Sequence, residues 1–209
     1  MRPVGDHAAL LELPDNRSVH VAARLARERL GDQLIDVVAG HETLLLVWPA
    51  GSVISDISEL ALELAGSEIS DDDANHPEEV VIAVRYDGAD LHSVAECLGV
   101  STEAVIGLHG AAEYVVAFMG FSPGFPYLIA EPASVAGVAR LLELPRLATP
   151  RTEVPAGSVA VAAGYCGIYP SSSPGGWNLI GSTDVVLFDP EREPPALLEP
   201  GVRVRFEAS

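Results

Sequence analysis

The sequence contains no lysine; all twelve of its basic residues are arginine. That absence excludes a phosphate-loop lysine, a Schiff-base lysine and a biotin-carrying lysine within the chain. Against thirty acidic residues the twelve arginines leave a net charge of -18. A surface that tracks nucleic-acid phosphates is basic, so none is expected here. Only two cysteines are present, Cys97 and Cys166, too few for a disulfide framework. No histidine follows His109, so the C-terminal half cannot by itself assemble a Ser-His-Asp triad. The sequence opens without a charged segment followed by an apolar run, which sets a cytoplasmic location as the expectation.

The most informative absence is local. Between Glu153 and Asp184 there is no charged side chain. Glycine and proline interrupt this stretch every few residues, so it is not a membrane-spanning helix. Small and apolar residues alternate around Val159 and Val161, and Trp177, Tyr165 and Tyr169 lie within it. Short strands joined by tight turns are expected, with Gly175 and Gly176 allowing a ligand or another chain close to the backbone. Two readings fit: a buried, turn-rich β region, or a pocket or interface built upon one.

The rest of the chain supports a sizeable core, 48% of it being hydrophobic. Acid is concentrated in residues 1–110, with six arginines against twenty acidic residues; residues 111–209 have six against ten. Residues 8–13, 33–38, 43–48 and 79–85 are expected as strands. Ser18 is expected to cap a helix whose stripe is Ala22, Leu25, Ala26 and Leu30, ending at Gly31. A second helix is expected from Asp56, with Glu59 completing a capping-box-like start and Ile57, Leu60, Ala61 and Leu64 on one face. The order β-α-β-β-α-β predicts a ferredoxin-like α+β sandwich over residues 1–87. Asp71, Asp72 and Asp73 lack the spacing of a calcium loop, so no metal site is expected.

Beyond a boundary near residues 86–90, two short helices are expected either side of Gly99. The second offers no basic residue to a DNA groove, so the pair is expected to be structural. A strand over 113–119 runs into residues 120–128, where two prolines and two glycines demand a defined loop. Its aromatics, Phe121, Phe125 and Tyr127, suit either a core plug or the wall of a site. A helix is expected over 133–144, and strands over 185–188 and 202–206. Short strands with Gly/Pro turns predict a closed β-barrel over residues 88–209.

Three blocks then resemble a known family: residues 120–128; Ala148-Thr149-Pro150-Arg151 with Val154-Pro155-Ala156-Gly157-Ser158; and Gly167-Ile168-Tyr169-Pro170 through Ser173-Pro174-Gly175-Gly176-Trp177 to Leu179-Ile180-Gly181. The ending Leu187-Phe188-Asp189-Pro190 with Arg203 and Phe206 fits as well. The chain resembles subunit 1 of allophanate hydrolase, also described as the kinase A inhibitor family and as the B subunit of 5-oxoprolinase. The resemblance implies an N-terminal α+β domain and a C-terminal cyclophilin-like barrel. It implies a partner, the likewise cyclophilin-like subunit 2, and a heteromeric, ATP-dependent amidohydrolase that opens a lactam or hydrolyses an acyl-urea-type amide. A third, amidohydrolase subunit is a further possible partner. The segment 129–144 is longer than the family's usual connection, and Tyr165-Cys166 stands where many members carry Gln-Thr.

An unactivated lactam becomes a better electrophile when ATP phosphorylates its amide oxygen, and the transferring phosphoryl group needs cationic or N–H stabilisation. Arg151, beside the uncharged stretch, is the candidate cation, with a structural ion pair to Glu153 or at the edge of the core as its alternative. His109 is the candidate acid or base, or else a hydrogen-bonded structural histidine. Asn178, Ser172 and Ser173 are candidates to orient a carbonyl or carboxylate, or else ordinary turn residues. With Phe125, Tyr127, Gly175, Gly176 and Trp177, and with Pro155 and Gly157 of the resembling motif, they form the expected substrate-binding set. So few ionisable groups suggest half of a site, with ATP used by the complex. Two other classes compete: a protein that inhibits a sensor histidine kinase, and a prolyl isomerase, the latter resting on fold alone.

Overall fold

A computed structural model describes residues 1–52, 79–131 and 134–209. The chain divides into two compact units, Met1–His76 and Pro77–Ser209. In the first, β1 (Arg2–Pro3), β2 (Ala8–Glu12), β3 (Asp36–Ala39) and β4 (Thr43–Val47) form an antiparallel sheet in the order β1-β2-β4-β3. Helix α1 (Asn16–Leu30) is capped by Asp15 rather than Ser18. The Asp15 carboxylate accepts both the Ser18 N–H, at 2.8 Å, and the Ser18 hydroxyl, at 2.7 Å. One side chain thus satisfies a free helix donor and orders its neighbour. Val19, Ala22, Ala26 and Leu30 pack against Leu11, Leu44 and Leu46, the inward residues of strands whose side chains alternate. The expected helix from Asp56 and the loop Asp71–Asp73 lie outside the described residues.

The strand that was to complete this unit belongs elsewhere. β5 (Glu79–Val84) pairs in parallel with the C-terminal strand and is part of the second unit's sheet. The ferredoxin-like sandwich expected over residues 1–87 therefore lacks its last strand. Within the first unit, the edge of the sheet beside β2 is occupied by the short β1.

In the second unit, α2 (Leu91–Leu98) and α3 (Thr102–Gly110) flank Gly99, whose φ of 70° gives the left-handed stop. Ser101 caps α3 by accepting the Ala104 N–H at 3.2 Å. The strands are β6 (Glu113–Met119), β7 (Pro126–Ala130), β8 (Arg151–Val154), β9 (Ser158–Ala162), β10 (Tyr165–Ile168), β11 (Ser173–Gly175), β12 (Asn178–Ser182) and β13 (Arg203–Ala208). Of these, β8 and β11 form a two-stranded sheet. The others join β5 in a seven-stranded curled sheet, ordered β12-β9-β10-β7-β6-β13-β5.

The two edges of that sheet meet at one residue pair. The Arg85 N–H donates to the Ser182 carbonyl at 2.9 Å, and the Ser182 N–H donates back at 2.8 Å. Gly181 makes the approach possible, since a Cβ there would lie 2.5 Å from the Arg85 carbonyl oxygen. Of the helix expected over 133–144, the described residues form only α4 (Val138–Leu142), which starts after Gly137 at φ 100°. Residues 185–188 form no strand, only a bridge from Phe188 to Ala196, with the Leu197 N–H donating to the Leu187 carbonyl at 2.8 Å.

Inside the curl, Ile82, Val116, Leu128, Val159, Val161, Ile180 and Phe206 form the main core. His109 lies within it, fully buried. Its Nδ1 is 2.8 Å from the Tyr86 hydroxyl and its Nε2 is 3.3 Å from the Cys166 sulfur. Its ring centroid is 4.4 Å from that of Phe206. Burial lowers its pKa from 6.5 to about 3, so the imidazole is neutral in the folded chain. Above pH 6.5 the folded and unfolded chains both hold a neutral His109. Below it the unfolded chain takes up a proton that the folded chain refuses, until about pH 3. His109→Gln should therefore flatten the loss of stability between these limits by about 1.4 kcal/mol per pH unit. Denaturant unfolding of both proteins at pH 7 and pH 4.5 measures this. Equal pH dependence would contradict the buried neutral histidine.

Candidate functional site

Strand β9 explains why the uncharged stretch is uncharged. All five of its residues are buried. Val159 and Val161 face the main core, while Ala160 and Ala162 belong to a second, mostly aromatic cluster with Phe125, Tyr169 and Trp177. Alanine on that face leaves room for large rings. Gly167, on the neighbouring β10, serves the same end. A Cβ at Gly167 would lie 2.9 Å from Phe125 Cζ and 2.9 Å from Trp177 Cζ3. The Phe125 ring meets Tyr169 at 5.1 Å and Trp177 at 5.5 Å, both edge-to-face, the favourable arrangement for aromatic quadrupoles.

The loop after β6 delivers these rings. The Gly120 N–H donates to the Phe125 carbonyl at 3.2 Å, and the Phe125 N–H to the Ser122 carbonyl at 3.0 Å. Gly124 adopts φ 78°, where a Cβ would lie 2.5 Å from Phe188 Cβ. Phe121 adopts φ 64°, a conformation that a bulky residue seldom takes. Phe125 is consequently buried while Phe121 is 61% exposed.

The loop and the uncharged stretch meet at one pocket of about 220 Å³. Phe121, Phe125, Tyr127, Tyr169 and Trp177 form its aromatic walls; Arg146, Pro150, Pro174, Gly175 and Gly176 complete it. Five expected substrate-binding residues are thus brought together: Phe125, Tyr127, Gly175, Gly176 and Trp177. Burial raises the Tyr169 phenol above its ordinary pKa, offset in part by a backbone hydrogen bond from Trp177 and by the Arg146 and Arg151 charges. The phenol is therefore a neutral hydrogen-bonding group in the pocket wall.

The other expected residues do not line the pocket. The Ser172 hydroxyl donates to Glu153 at 3.1 Å. The Asn178 amide donates to the Pro145 and Val161 carbonyls, both at 3.0 Å. Gly157, at φ 78°, is a turn residue whose N–H donates to the Tyr169 carbonyl at 2.7 Å. The Pro155 carbonyl accepts the Ser158 hydroxyl at 2.8 Å. The Ser173 hydroxyl is buried with no hydrogen-bond partner among the described residues.

Both candidate catalytic groups have structural partners. His109 is sealed in the core, away from the pocket lining. Arg151 pairs with Asp90, not Glu153: its Nη2 lies 2.6 Å from Asp90 Oδ1. The other Asp90 oxygen accepts the Leu179 N–H at 2.7 Å. The cation that lines the pocket is Arg146, which sequence reasoning passed over. Its only signal was its place in Pro145-Arg146, just ahead of the Pro150-Arg151 motif.

Residues 1–198 match the family described as carboxyltransferase domain, subdomain C and D. The chain belongs to that family. A protein of Escherichia coli O157:H7, named as the B subunit of 5-oxoprolinase, is 38% identical over 209 residues, covering 97% of this chain and 93% of the relative. A protein of the same name from Bacillus subtilis (strain 168) is 34% identical over 227 residues, covering 97% and 90%. Among solved structures, that of the protein TTHA0988 is 38% identical with a TM-score of 0.78. It is matched over 97% of this chain and 40% of its own. The two bacterial relatives bear the name to which the resembling motifs pointed.

For this member of the carboxyltransferase-domain family, Arg151→Ala should lower stability even without ligand or partner. It leaves the buried Asp90 carboxylate without its cation, a loss of about 1–3 kcal/mol. Denaturant unfolding of the isolated chain measures it. Unchanged stability would show that Arg151 has no structural role.

Proposed function

We propose that this chain is one subunit of a heteromeric, ATP-dependent amidohydrolase of the 5-oxoprolinase or allophanate hydrolase type. In this reading it supplies one wall of a site that subunit 2 completes. The carrying observation is Phe121: a large aromatic ring, 61% exposed, held at φ 64° on the mouth of an aromatic pocket. Strained backbone and exposed apolar surface concentrate where something else binds. The relatives named for the B subunit of 5-oxoprolinase support the amide substrate class and the existence of further subunits. TTHA0988, of whose chain this one spans 40%, supports a fold continued by more polypeptide. The curled sheet whose edges meet at Arg85 and Ser182 supports a cyclophilin-like barrel for the second unit.

ATP enters as a substrate, to make the amide carbon electrophilic by phosphorylating its oxygen. The pocket itself does not fit a triphosphate. Arg146 is the one cation among the described lining residues, Arg151 is engaged with Asp90, and the chain has no lysine. The phosphoryl-binding groups are therefore assigned to the remainder of the complex. This chain's part is to bind and orient the amide and to shield it from water. The described residues include no helix long and apolar enough to cross a membrane. The reading places the complex in the cytoplasm.

The purified chain should show no turnover of 5-oxoproline with ATP, nor of allophanate, until subunit 2 and any third amidohydrolase subunit are added. Phe121→Ala should leave the melting temperature within a few degrees, since the ring is exposed, yet weaken binding of subunit 2 at least tenfold, about 1.4 kcal/mol. Turnover by the chain alone, or unchanged partner affinity by titration calorimetry, would defeat the reading.

A further inference from the structure

In the second unit, Arg85 pairs with Asp184, Arg151 with Asp90 and Arg205 with Glu79, while Arg192 donates to backbone carbonyls. Three arginines of that unit, Arg140, Arg146 and Arg203, are exposed and make no hydrogen bond or ion pair with the described residues, and of these only Arg146 lines the pocket. Its side chain is unengaged, but its backbone is pinned on both sides. Just before it, the Pro145 carbonyl accepts the Asn178 amide at 3.0 Å. Just after it, the Leu147 N–H donates to the Gly176 carbonyl at 2.7 Å. Both anchors belong to the segment that forms the pocket wall. The chain holds a free cation in a fixed place.

We propose that this pocket recognises a small carboxylic acid bearing a flat ring, with Arg146 taking the carboxylate. The inference rests on the functional reading above and assigns the part of the substrate that this subunit holds. Among the described residues, no acidic side chain lines the pocket. On a chain of net charge -18, a lone guanidinium in a carboxylate-free recess is what admits an anion. The aromatic walls offer faces and edges to a planar ring, and Gly175 and Gly176 let it lie close to the backbone. At about 220 Å³, the space is below the roughly 300 Å³ at which sites for drug-sized ligands begin. That favours a single small ring over a nucleotide. Polar capacity is also in reserve. The hydroxyls of Ser122 and Ser173, next in sequence to the lining residues Phe121 and Pro174, are buried without hydrogen-bond partners among the described residues. Asn178 acts here as a positioning residue, through Pro145.

The test is titration calorimetry on the full chain with 5-oxoproline, with 2-pyrrolidinone (the same ring without a carboxylate) and with acetate (a carboxylate without a ring). 5-Oxoproline should bind at least tenfold more tightly than either fragment. Arg146→Gln should weaken 5-oxoproline at least tenfold and leave 2-pyrrolidinone unchanged. Arg146→Lys should fall between. Arg203→Gln, which removes an exposed arginine outside the pocket, should bind like the parent. In the assembled complex, Arg146→Gln should raise KM for the acid at least tenfold with kcat largely kept. Equal binding of 5-oxoproline and 2-pyrrolidinone, or an Arg146→Gln variant with parental affinity and KM, overturns the proposal. So does a failure of 5-oxoproline to bind either the chain or the complex. Arg146-dependent binding in a complex that hydrolyses nothing would instead sink the functional reading and leave this one standing.

Discussion

The Asp90 carboxylate ties together segments far apart in the chain, and the pocket depends on that tie. One oxygen takes Arg151 of β8, and the other takes the backbone N–H of Leu179 in β12. The Asp90 N–H returns the bond to the Leu179 carbonyl at 2.9 Å. Gly88, two residues earlier, packs so closely on this strand that a Cβ would collide with the Leu179 carbonyl and Ile180. The start of α2 is thereby fixed to the strand that follows Trp177, and β8 is fixed to both. A carboxylate this buried is tolerated because each oxygen has a donor, one of them charged. The tie also consumes the cation that most resembled a catalytic group.

Two kinds of packing then share one strand. β9 turns valines to the main core and alanines to the aromatic cluster. The small residues on the second face, together with Gly167, decide how deep Phe125 and Trp177 can sit. Their depth decides where the pocket floor lies. The rim is set separately, by the 120–125 turn that leaves Phe121 outside and by the backbone bonds either side of Arg146. The floor is a consequence of packing density, whereas the rim is a consequence of turn geometry and hydrogen bonding. That division allows a rigid site with a replaceable edge.

Much of the chain was legible before its structure. The strand over Glu113–Met119, the helical pair around Gly99, the cap at Ser101 and the loop after Met119 follow from periodicity and turn chemistry. So does the role of the 120–127 loop and the uncharged stretch as neighbours, since neither suits open solvent. Less legible was the cap of α1, where Ser18 looked like the cap but Asp15, one turn earlier, accepts its N–H and hydroxyl. The short helix α4, which starts only after Gly137 at φ 100°, shows how glycine interrupts an apolar pattern.

What the sequence determined by itself is local or compositional: which segments turn, which alternate, where charge is absent, and to which family the motifs belong. These depend on near neighbours and on the conformational limits of glycine and proline. Tertiary structure alone decided the rest. Residues 79–84 read as a strand, but nothing in their pattern says whether their partner lies in the first unit or, as found, at Arg203–Ala208. Arg151 and Arg146 look alike in sequence. One finds a carboxylate 61 positions away and becomes structural, while the other stays free beside the rings. His109 keeps its titratable group in the sequence and loses its use in the fold, because burial costs the charged form too much. Pairing partners and burial are properties of the assembled chain, and they decide which polar residues remain available for chemistry.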